Sequence, residues 1–452
     1  MGRWQIEGGL ASRIEVDCCG NGIIIAVLAQ PYAMTAPTAI PKSSISWRRN
    51  LVAIWFAELV AIVGFTVVSP LLPLYVRELG VQSEQKVTIW AGAVFSVQAV
   101  TMAIFGPIWG ALSDRYGRKL MVERAMFSGA LLIGLMGLVQ NVQQLAFLRA
   151  VQGALTGTIT AANALVATTA PRERAGYALG MLQMAVYTGA SVGPLLGGLV
   201  ADSLGYRMAF LVTGVLLFSA AMGVLLFVKE EFQPVAPSVS EQAAVGASGA
   251  ALRHRIRARL APVLSSAPLL GVMGIRLLMW LGTRLLGPVL PLLIQEIAPA
   301  GARIASITGI ISGVSAAAGA VGALSLGRLG DRVGYRKVLM ACAVGAAVCY
   351  VPQFFIGDPG WLVPLQAGTG LAMGGILASL SASLAQLSPE GQEGIVYGVD
   401  ASVVSVASAI GPMAGSALAV WLGLRAPFLF TAGIFGLASV VAARLLSRRS
   451  PR

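Results

Sequence analysis

Charged residues are scarce in this chain. Asp, Glu, Lys and Arg make up 11% of its 452 residues, whereas hydrophobic residues make up 56% and the mean hydropathy is +0.79. Soluble globular proteins carry about 25% charged residues. The composition therefore excludes a soluble globular fold and predicts an all-α membrane protein with many spanning helices.

Histidine and cysteine are also scarce. His254 is the one histidine, and the four cysteines comprise an adjacent N-terminal pair, Cys18 and Cys19, and two within one apolar segment, Cys342 and Cys349. We read none of them as a metal ligand or a disulfide. We expect no metal and no cofactor, and the absence of catalytic His, Cys or paired carboxylates argues against an enzyme.

The net charge of +13 comes from short basic clusters between apolar runs rather than from one soluble face. This pattern argues against nucleic acid as a partner and follows the positive-inside rule. If the chain starts inside, both termini are cytoplasmic, and five basic residues fall outside: Arg77, Lys86, Arg207, Arg303 and Arg425. We therefore expect a lipid bilayer as partner and a plasma membrane, the bacterial inner membrane, as location.

Twelve apolar stretches are long enough to span a bilayer, which takes about 20 residues. Six of them lie within 51–228 and six within 269–446, and the fourth of these runs from Gln144 to Thr169. The segment 229–268 is expected to be a cytoplasmic loop whose second part, LRHRIRARL, is either an amphipathic helix on the anionic leaflet or a solvated basic linker. Residues 447–452 are expected to be a cytoplasmic tail.

Residues 1–50 are expected to be a disordered or peripheral extension. The apolar run from Gly22 to Ala29 is too short to span. Translation that starts naturally at Met34 is one explanation for this segment.

An internal repeat relates the two sets of six spans. Asp114 in GALSDRYGRKL and Asp331 in GRLGDRVGYRKVL are 217 positions apart, and Gly193-Pro194 recurs 218 positions later as Gly411-Pro412. Pro70 and Pro73 have counterparts at the same 218-residue offset. The repeat predicts two pseudo-symmetric six-helix halves with a substrate site between them, as in secondary transporters.

Five charged residues stand out within the apolar spans, where a charge costs about 3 kcal/mol to insert. They are Glu58, Arg149, Arg276, Arg284 and Asp400. Glu58 is a candidate proton carrier, and the alternatives are a static ion pair with Arg149 or a carboxylate that reaches the inner interface. For Asp400, a helix cap or an ion pair is favoured over proton coupling.

Polar residues on the fourth span follow helical spacing. At 100° per residue they fall on one face of a continuous helix and predict a surface that faces water, substrate or another helix. The stripe consists of Arg149, Gln152, Thr156, Thr160 and Asn163. Gln183 and Tyr187 on the fifth span and Trp280 on the seventh extend the set of candidate cavity residues.

Two charged, glycine-framed turns mark the repeat. Gly110 and Gly117 permit close backbone approach and a tight turn, Asp114 can cap a helix, and Arg115, Arg118 and Lys119 hold the loop on one side of the membrane. The second turn contains Gly327, Asp331 and Arg332. On the residues alone, these turns are topological anchors.

Three motifs make the chain resemble the major facilitator superfamily, and within it the twelve-helix drug:proton antiporter branch. They are the GALSDRYGRKL loop, the LAFLRAVQG segment from Leu145, and a fifth-span pattern that marks exporters and consists of Gly180, Gly189, Gly193, Pro194, Gly197 and Gly198. The resemblance covers about Leu51 to Leu446. It implies a major facilitator fold of 12 transmembrane helices, and a loop that acts as a latch between the halves.

The resemblance also implies a function. The chain would be a monomeric exporter of small amphiphilic molecules, such as drugs, driven by a proton gradient. The first, fourth, seventh and tenth spans would line the cavity, and three arginines against two carboxylates would favour anionic or zwitterionic amphiphiles. A metabolite exporter or importer of the same fold, or a transporter-like sensor or enzyme, is the alternative.

Three positions depart from the family pattern. Thr168 stands where many members carry an acidic residue, Gln366 replaces the second-half counterpart of Arg149, and Ser416 replaces that of Gly198. With Thr168 in that place, the fourth span has no acidic partner there for the loop arginine.

Overall fold

The fold comes from a computed structural model, which describes residues 5–6, 13–19, 22–28, 47–171, 174–230, 265–389 and 393–445. The basic segment LRHRIRARL and the tail 447–452 lie outside these residues, and the predicted domain boundaries stay a prediction. Three antiparallel strands, β1 (Gln5–Ile6), β2 (Arg13–Cys19) and β3 (Gly22–Leu28), belong to a separate unit that ends at Ser46. Everything from Trp47 onward forms one unit.

Helices make up the described first half. They are α1 (Trp47–Val68), α2 (Leu72–Glu78), α3 (Glu84–Tyr116), α4 (Arg118–Met136), α5 (Val142–Leu155), α6 (Thr158–Thr169), α7 (Ala175–Leu204) and α8 (Tyr206–Phe227). A 3-10 turn, Ser69–Leu71, links α1 to α2 at Pro70. Proline has no N–H to donate at that point.

The described second half repeats this order. Its helices are α9 (Ala267–Leu286), α10 (Val289–Ile297), α11 (Ile304–Val333), α12 (Tyr335–Gln353), α13 (Leu362–Leu387), α14 (Glu393–Leu422) and α15 (Ala426–Leu445). The break between α9 and α10 falls at Gly287-Pro288, the counterpart of the break at Pro70.

Ten helical segments among the described residues are long and apolar enough to cross a membrane. The two remaining predicted spans correspond to α4, which begins with the charged residues Arg118, Lys119, Glu123 and Arg124, and to the pair α5 and α6. The helical architecture confirms the predicted all-α membrane fold.

Positive-φ glycines show the repeat in the backbone. Gly117 (φ 102°) lies between α3 and α4, and Gly334 (φ 94°) lies between α11 and α12. Gly205 (φ 88°) and Gly423 (φ 93°) likewise follow the fifth span of each half. Residues with a Cβ avoid this region, so the same residue type turns the chain at equivalent points of both halves.

Each half has its own hydrophobic core. Tyr75 packs on Phe210 in the first, with ring centroids 4.7 Å apart, and Tyr350 packs on Phe435 in the second, at 5.5 Å. The halves meet along two helix pairs, α3 with α14 and α7 with α11. Helices of both halves therefore border the space between the halves.

The expectation of one continuous fourth span is wrong. α5 ends at Leu155, Thr156 is extended, and Gly157 has φ 146° and ψ 49° before α6 begins at Thr158. The backbone turns out of the helix at these two residues. The stripe from Arg149 to Asn163 therefore does not continue at 100° per residue, because its members lie on two helices.

Candidate functional site

Side chains from neighbouring helices satisfy the backbone groups freed at the break in the fourth span. The indole Nε1 of Trp109 donates to the Ala154 carbonyl at 2.6 Å, and the Arg124 guanidinium donates to the Leu155 carbonyl. Arg124 also stacks over the Trp109 ring, 3.5 Å from its centroid. Backbone polar groups inside a membrane protein need such partners. Sequence reasoning missed both residues, although the Thr-Gly-Thr at 156–158 could have indicated a break.

Arg149 lies inside the first half on α5, with 5% of its surface exposed. One guanidinium nitrogen donates to the Gln152 side-chain oxygen at 2.8 Å, and the guanidinium carbon lies 5.7 Å from the centroid of the Phe95 ring. Gln152 is itself fully buried. Arg149 is thus held by an amide and an aromatic face, and the contact with Phe95 was not predicted from the sequence.

Glu58 is fully buried on α1, and neither of its carboxylate oxygens has a hydrogen-bond partner among the described residues. The predicted alternative of a static ion pair with Arg149 is wrong in this conformation, because Arg149 instead bonds Gln152. The alternative of a carboxylate that reaches the inner interface stays a prediction. The structure leaves an isolated buried carboxyl group, which is unfavourable when ionised.

The second half brings two predicted residues into an ion pair. Arg276 on α9 and Asp400 on α14 approach to 2.9 Å between Nε and Oδ1, and both side chains are mostly buried. This contact agrees with the interpretation of Asp400 as an ion-pair residue. Farther along α9, the Arg284 guanidinium carbon lies 4.9 Å from the centroid of the Trp280 ring, a cation–π arrangement.

The glycines of α7 make close contacts on two sides. A Cβ added at Gly189 would lie 2.8 Å from Ile62 Cβ, and one at Gly197 would lie 2.7 Å from the Val67 carbonyl oxygen, both on α1. A Cβ at Gly198 would instead overlap the backbone of Ala305 on α11. These contacts agree with a small-residue packing surface.

Gly193 belongs to the α1 side of this surface, where its Cβ position lies 2.8 Å from the Val63 carbonyl oxygen. Gly309 of α11 packs on the Pro194 carbonyl in the same way. Gly180 differs, because nothing lies within 4 Å of its Cβ position. The packing surface of α7 therefore does not include Gly180 in this conformation.

The first charged turn is attached to its own half. Glu230, which follows α8, accepts from the backbone N–H groups of Arg118 and Lys119 at 3.1 and 2.8 Å and so caps α4. The Lys119 ammonium donates to the Leu225 carbonyl at 3.1 Å. Sequence reasoning assigned a cap to Asp114, whose side chain lies outside the described part of the chain, and missed Glu230.

Other predicted loop features are present only in part. Arg115 is exposed beside the Tyr116 ring, and a Cβ at Gly110 would have nothing within 4 Å, so the expected close approach at Gly110 is absent in this conformation. In the second turn, Asp331 accepts from the Tyr335 hydroxyl, while Arg332 is exposed.

The halves are tied together at one end of the bundle. Asp202, near the end of α7, accepts from the backbone N–H groups of Ala305 at 3.3 Å and Ser306 at 2.7 Å, in the first turn of α11. Beside it, a Cβ at Gly92 on α3 would lie 2.5 Å from the Ser416 hydroxyl of α14. We call this the Asp202 end, and the sequence analysis did not identify Asp202.

The opposite end, at which α1 begins, we call the Trp47 end. Near it, five glycines on the interface helices α3, α7 and α14 have nothing within 4 Å of a Cβ position: Gly106, Gly110, Gly176, Gly180 and Gly398. The close approaches between halves that involve glycine lie toward the Asp202 end. The described conformation is therefore closed at the Asp202 end and more open at the Trp47 end.

The remaining predicted cavity residues are scattered. Thr156 is buried and bonds the Gln152 carbonyl, Asn163 and Tyr187 are partly exposed, and Gln183 is exposed. The side chain of Thr160 is not among those described. The described residues contain no group of three or more His, Cys, Asp or Glu side chains that could hold a metal ion.

Two kinds of sequence comparison, with a family model and with individual proteins, identify the same class of protein. The family model of the Major Facilitator Superfamily matches residues 54–281 and 272–452. Multidrug resistance protein MdtG of Salmonella arizonae is 34% identical over 414 residues, which cover 92% of this chain and 98% of the relative. MdtG of Enterobacter lignolyticus is 36% identical over 390 residues, which cover 86% and 90%.

Solved transporter structures share the fold. A bacterial homologue of the human lysosomal transporter Spinster, in an inward-facing and unoccupied conformation, aligns with a TM-score of 0.70 at 15% identity over 90% of this chain and 99% of that one. The human organic anion transporter MFSD10 aligns with a TM-score of 0.61 at 20% identity, over 88% and 100%. These relatives and structural neighbours are transporters rather than enzymes, and this chain belongs to the major facilitator superfamily.

Proposed function

We propose that the chain is a secondary transporter that exports small amphiphilic molecules, including drugs, in exchange for protons. The observation that carries the proposal is the set of intramembrane charges on helices of both halves, within a fold that can alternate about the interface between them. The full-length similarity to multidrug resistance proteins supports export of drugs as the task.

Alternating access supplies the mechanism. The halves pack at the Asp202 end through backbone and small side chains, so a rigid rocking motion can separate this end while the Trp47 end closes. In the closed Trp47 end, the charged turns at Gly110 and Gly327 would come together and act as latches. We propose that the Trp47 end is cytoplasmic and the membrane is the bacterial inner membrane, as the basic clusters support.

Glu58 is the proposed proton carrier. It is buried with no hydrogen-bond partner in the part of the chain that the structure describes, whereas the carboxylate of Asp400 is held by Arg276. The transporter is proposed to act as a monomer, since each chain contains both halves.

The charge of the cavity supports a preference among substrates. Asp400 neutralises Arg276, which leaves Arg149 and Arg284 against Glu58. When Glu58 carries its proton, this set is positively charged and would favour anionic or zwitterionic amphiphiles. Resistance of expressing cells to lipophilic cations but to no acidic drug would contradict this preference.

Susceptibility of a pump-deficient bacterial host to a structurally diverse drug panel tests the proposed function. Expression should raise the inhibitory concentration of several amphiphilic drugs, and an uncoupler should abolish the effect, because the proton gradient is the energy source. The second candidate is a metabolite transporter of the same fold. It is favoured if no drug is affected but vesicles carrying the protein accumulate or release a metabolite.

A further inference from the structure

Two apolar grooves lie on either side of α1 at the Trp47 end. The first, of about 660 Å³, lies between α1 and α8 and is lined by residues such as Ala53, Val60 and Gly223. The second, of about 510 Å³, lies between α1 and α7 and is lined by residues such as Leu51 and Met181. Both grooves include Arg48, Val52 and Phe56, so one ridge of α1 separates them.

The ridge faces away from the interior of the bundle. Val52 and Phe56 are 54% and 57% exposed, whereas Glu58, two residues on, is fully buried. Two residues rotate the side-chain direction by about 200° around a helix, so the ridge and Glu58 are on opposite sides of α1. In a membrane-spanning helix, an exposed apolar face of this kind contacts lipid chains.

The dimensions match one leaflet of a bilayer. From Arg48 to Val60, the span of the first groove, α1 rises roughly 18 Å. The hydrocarbon thickness of one leaflet is about 15 Å. A groove that begins at the helix start and runs this deep accommodates an acyl chain with its headgroup at the membrane surface.

Three arginines lie at the start of α1 and α7, where the headgroup of a lipid in these grooves would be. Arg48 and Arg49 line the first groove, and Arg48 and Arg174 line the second. The guanidinium carbons of Arg48 and Arg174 lie 5.6 and 6.0 Å from the centroid of the Trp47 ring, which brings charges from α1 and from the start of α7 to one aromatic side chain. The ion pairs among the described residues include none of the three.

We propose that this surface binds one anionic phospholipid, with its phosphate at Arg48, Arg49 and Arg174 and one acyl chain in each groove, on either side of Phe56. Guanidinium groups pair well with phosphate oxygens, and basic pockets beside apolar helix faces bind anionic headgroups. The chain's own segment 231–264 fits less well, because Arg253, Arg255, Arg257 and Arg259 would face like charges. A symmetric second copy would also set arginines against arginines.

Native mass spectrometry of the full chain, released from vesicles of phosphatidylethanolamine and phosphatidylglycerol, tests the proposal. The wild type should retain phosphatidylglycerol in preference to phosphatidylethanolamine. The variant R48Q/R49Q/R174Q should weaken this retention by about 10- to 100-fold, since each basic residue near a membrane surface contributes to anionic lipid binding. The control K86Q/R207Q/R303Q makes the same charge change at the Asp202 end and should bind as the wild type does.

A second variant tests the groove without changing charge. Gly223 lines the first groove, and nothing lies within 4 Å of its Cβ position, so Gly223→Leu places a side chain in the groove with no clash at the Cβ and should also release phosphatidylglycerol. Unchanged retention in Gly223→Leu overturns the proposal even if the arginine variant does not fold, and so does equal retention of phosphatidylethanolamine.

A photoreactive benzoylphenylalanine at position 56 identifies the occupant. The expected adduct has the mass of an anionic phospholipid. An adduct with a peptide from residues 1–46 or 231–264, or with a second copy of the chain, assigns the grooves to that occupant instead and overturns the proposal.

Discussion

Two buried carboxylates inside the bundle have opposite surroundings. Asp400 lies 2.9 Å from Arg276, whereas the oxygens of Glu58 have no hydrogen-bond partner among the described residues. Asp400 is paired with a cation, whereas an isolated buried carboxyl group without a partner is unfavourable when ionised. A group that is neutral when buried and ionised when water reaches it can carry a proton across the cycle.

Glu58→Gln should therefore uncouple export from the proton gradient. Glutamine keeps the shape and resembles the protonated acid, but it cannot release a proton. We expect at least about a tenfold loss of export driven by an imposed pH gradient in proteoliposomes, with substrate binding retained.

The exposed carboxylate at Glu78 supplies the control for this experiment, and Glu78→Gln should leave export unchanged. Undiminished proton-driven export by Glu58→Gln would remove Glu58 as the carrier and leave Asp400 as the remaining intramembrane candidate.

The Arg276–Asp400 pair supports a stability prediction. Removal of one partner from a mostly buried pair leaves an uncompensated charge, so Asp400→Asn or Arg276→Gln should destabilise the protein by about 3 kcal/mol. The double variant R276M/D400L should recover much of this loss, because neither charge remains. Thermal unfolding in detergent measures the three variants, and a double variant no better than the singles would show that the pair is not an independent unit.

At the scale of elements, the broken fourth span is the main departure from regular helix. Gly157 has φ 146° and ψ 49°, and nothing lies within 4 Å of its Cβ position. A residue other than glycine is therefore disfavoured at position 157 by the backbone conformation rather than by a lack of space. Trp109 and Arg124 then hold the ends of the break by hydrogen bonds to the Ala154 and Leu155 carbonyls.

Gly157→Ala should destabilise the fold by about 1–3 kcal/mol, the cost of a residue with a Cβ in a sparsely populated backbone region. The melting temperature in detergent checks the prediction. Gly345→Ala on α12 is the matched control: its Cβ also meets nothing within 4 Å, its backbone is helical, and it should be neutral or slightly stabilising. Equal melting temperatures for both variants would mean that the break at Gly157 relaxes into a helix without cost.

The sequence predicted the order of the helices because apolar length and the repeat are properties of composition and spacing. Of the twelve predicted spans, ten are long and apolar enough among the described residues to cross a membrane. The sequence also placed Pro70 and Pro288 at equivalent positions, and both interrupt a span. It did not predict the break at Gly157, because glycine is common in membrane helices and the partners at Trp109 and Arg124 are far away in sequence.

Site contacts were predictable only where they follow local spacing. Arg149 and Gln152 lie one turn apart and were placed on one face of the fourth span. Arg284 and Trp280 also lie one turn apart, but their contact was not predicted. Glu230 at the start of α4 and Asp202 at the start of α11 act across more than 100 positions. Polar residues near helix ends are ordinary in sequence, and only the packing of the helices shows which backbone N–H groups they reach.

At the scale of the whole molecule, the two halves are in contact at the Asp202 end. A rocking motion can separate the helix surfaces that meet there. α7 and α11 approach closely at Gly198, Gly309 and Gly313, where the nearest atoms belong to the backbone. Asp202 adds a charged acceptor at the first turn of α11, where the helix dipole favours negative charge. The closed state at this end therefore depends on a few backbone contacts.

Asp202→Ala should shift the equilibrium toward a conformation that is open at the Asp202 end. Loss of a capping carboxylate costs about 1 kcal/mol, which corresponds to about a fivefold change in the ratio of the two conformations. Spin labels at the exposed positions Ser203 and Ala300, on a background without the native cysteines, should show a larger fraction of long distances. Asp358→Ala removes a cap of the same kind, on the Gly360 N–H within the second half, and should leave the distances unchanged. An unchanged distribution in Asp202→Ala would mean that the small-residue contacts of α7 and α11 alone keep this end closed.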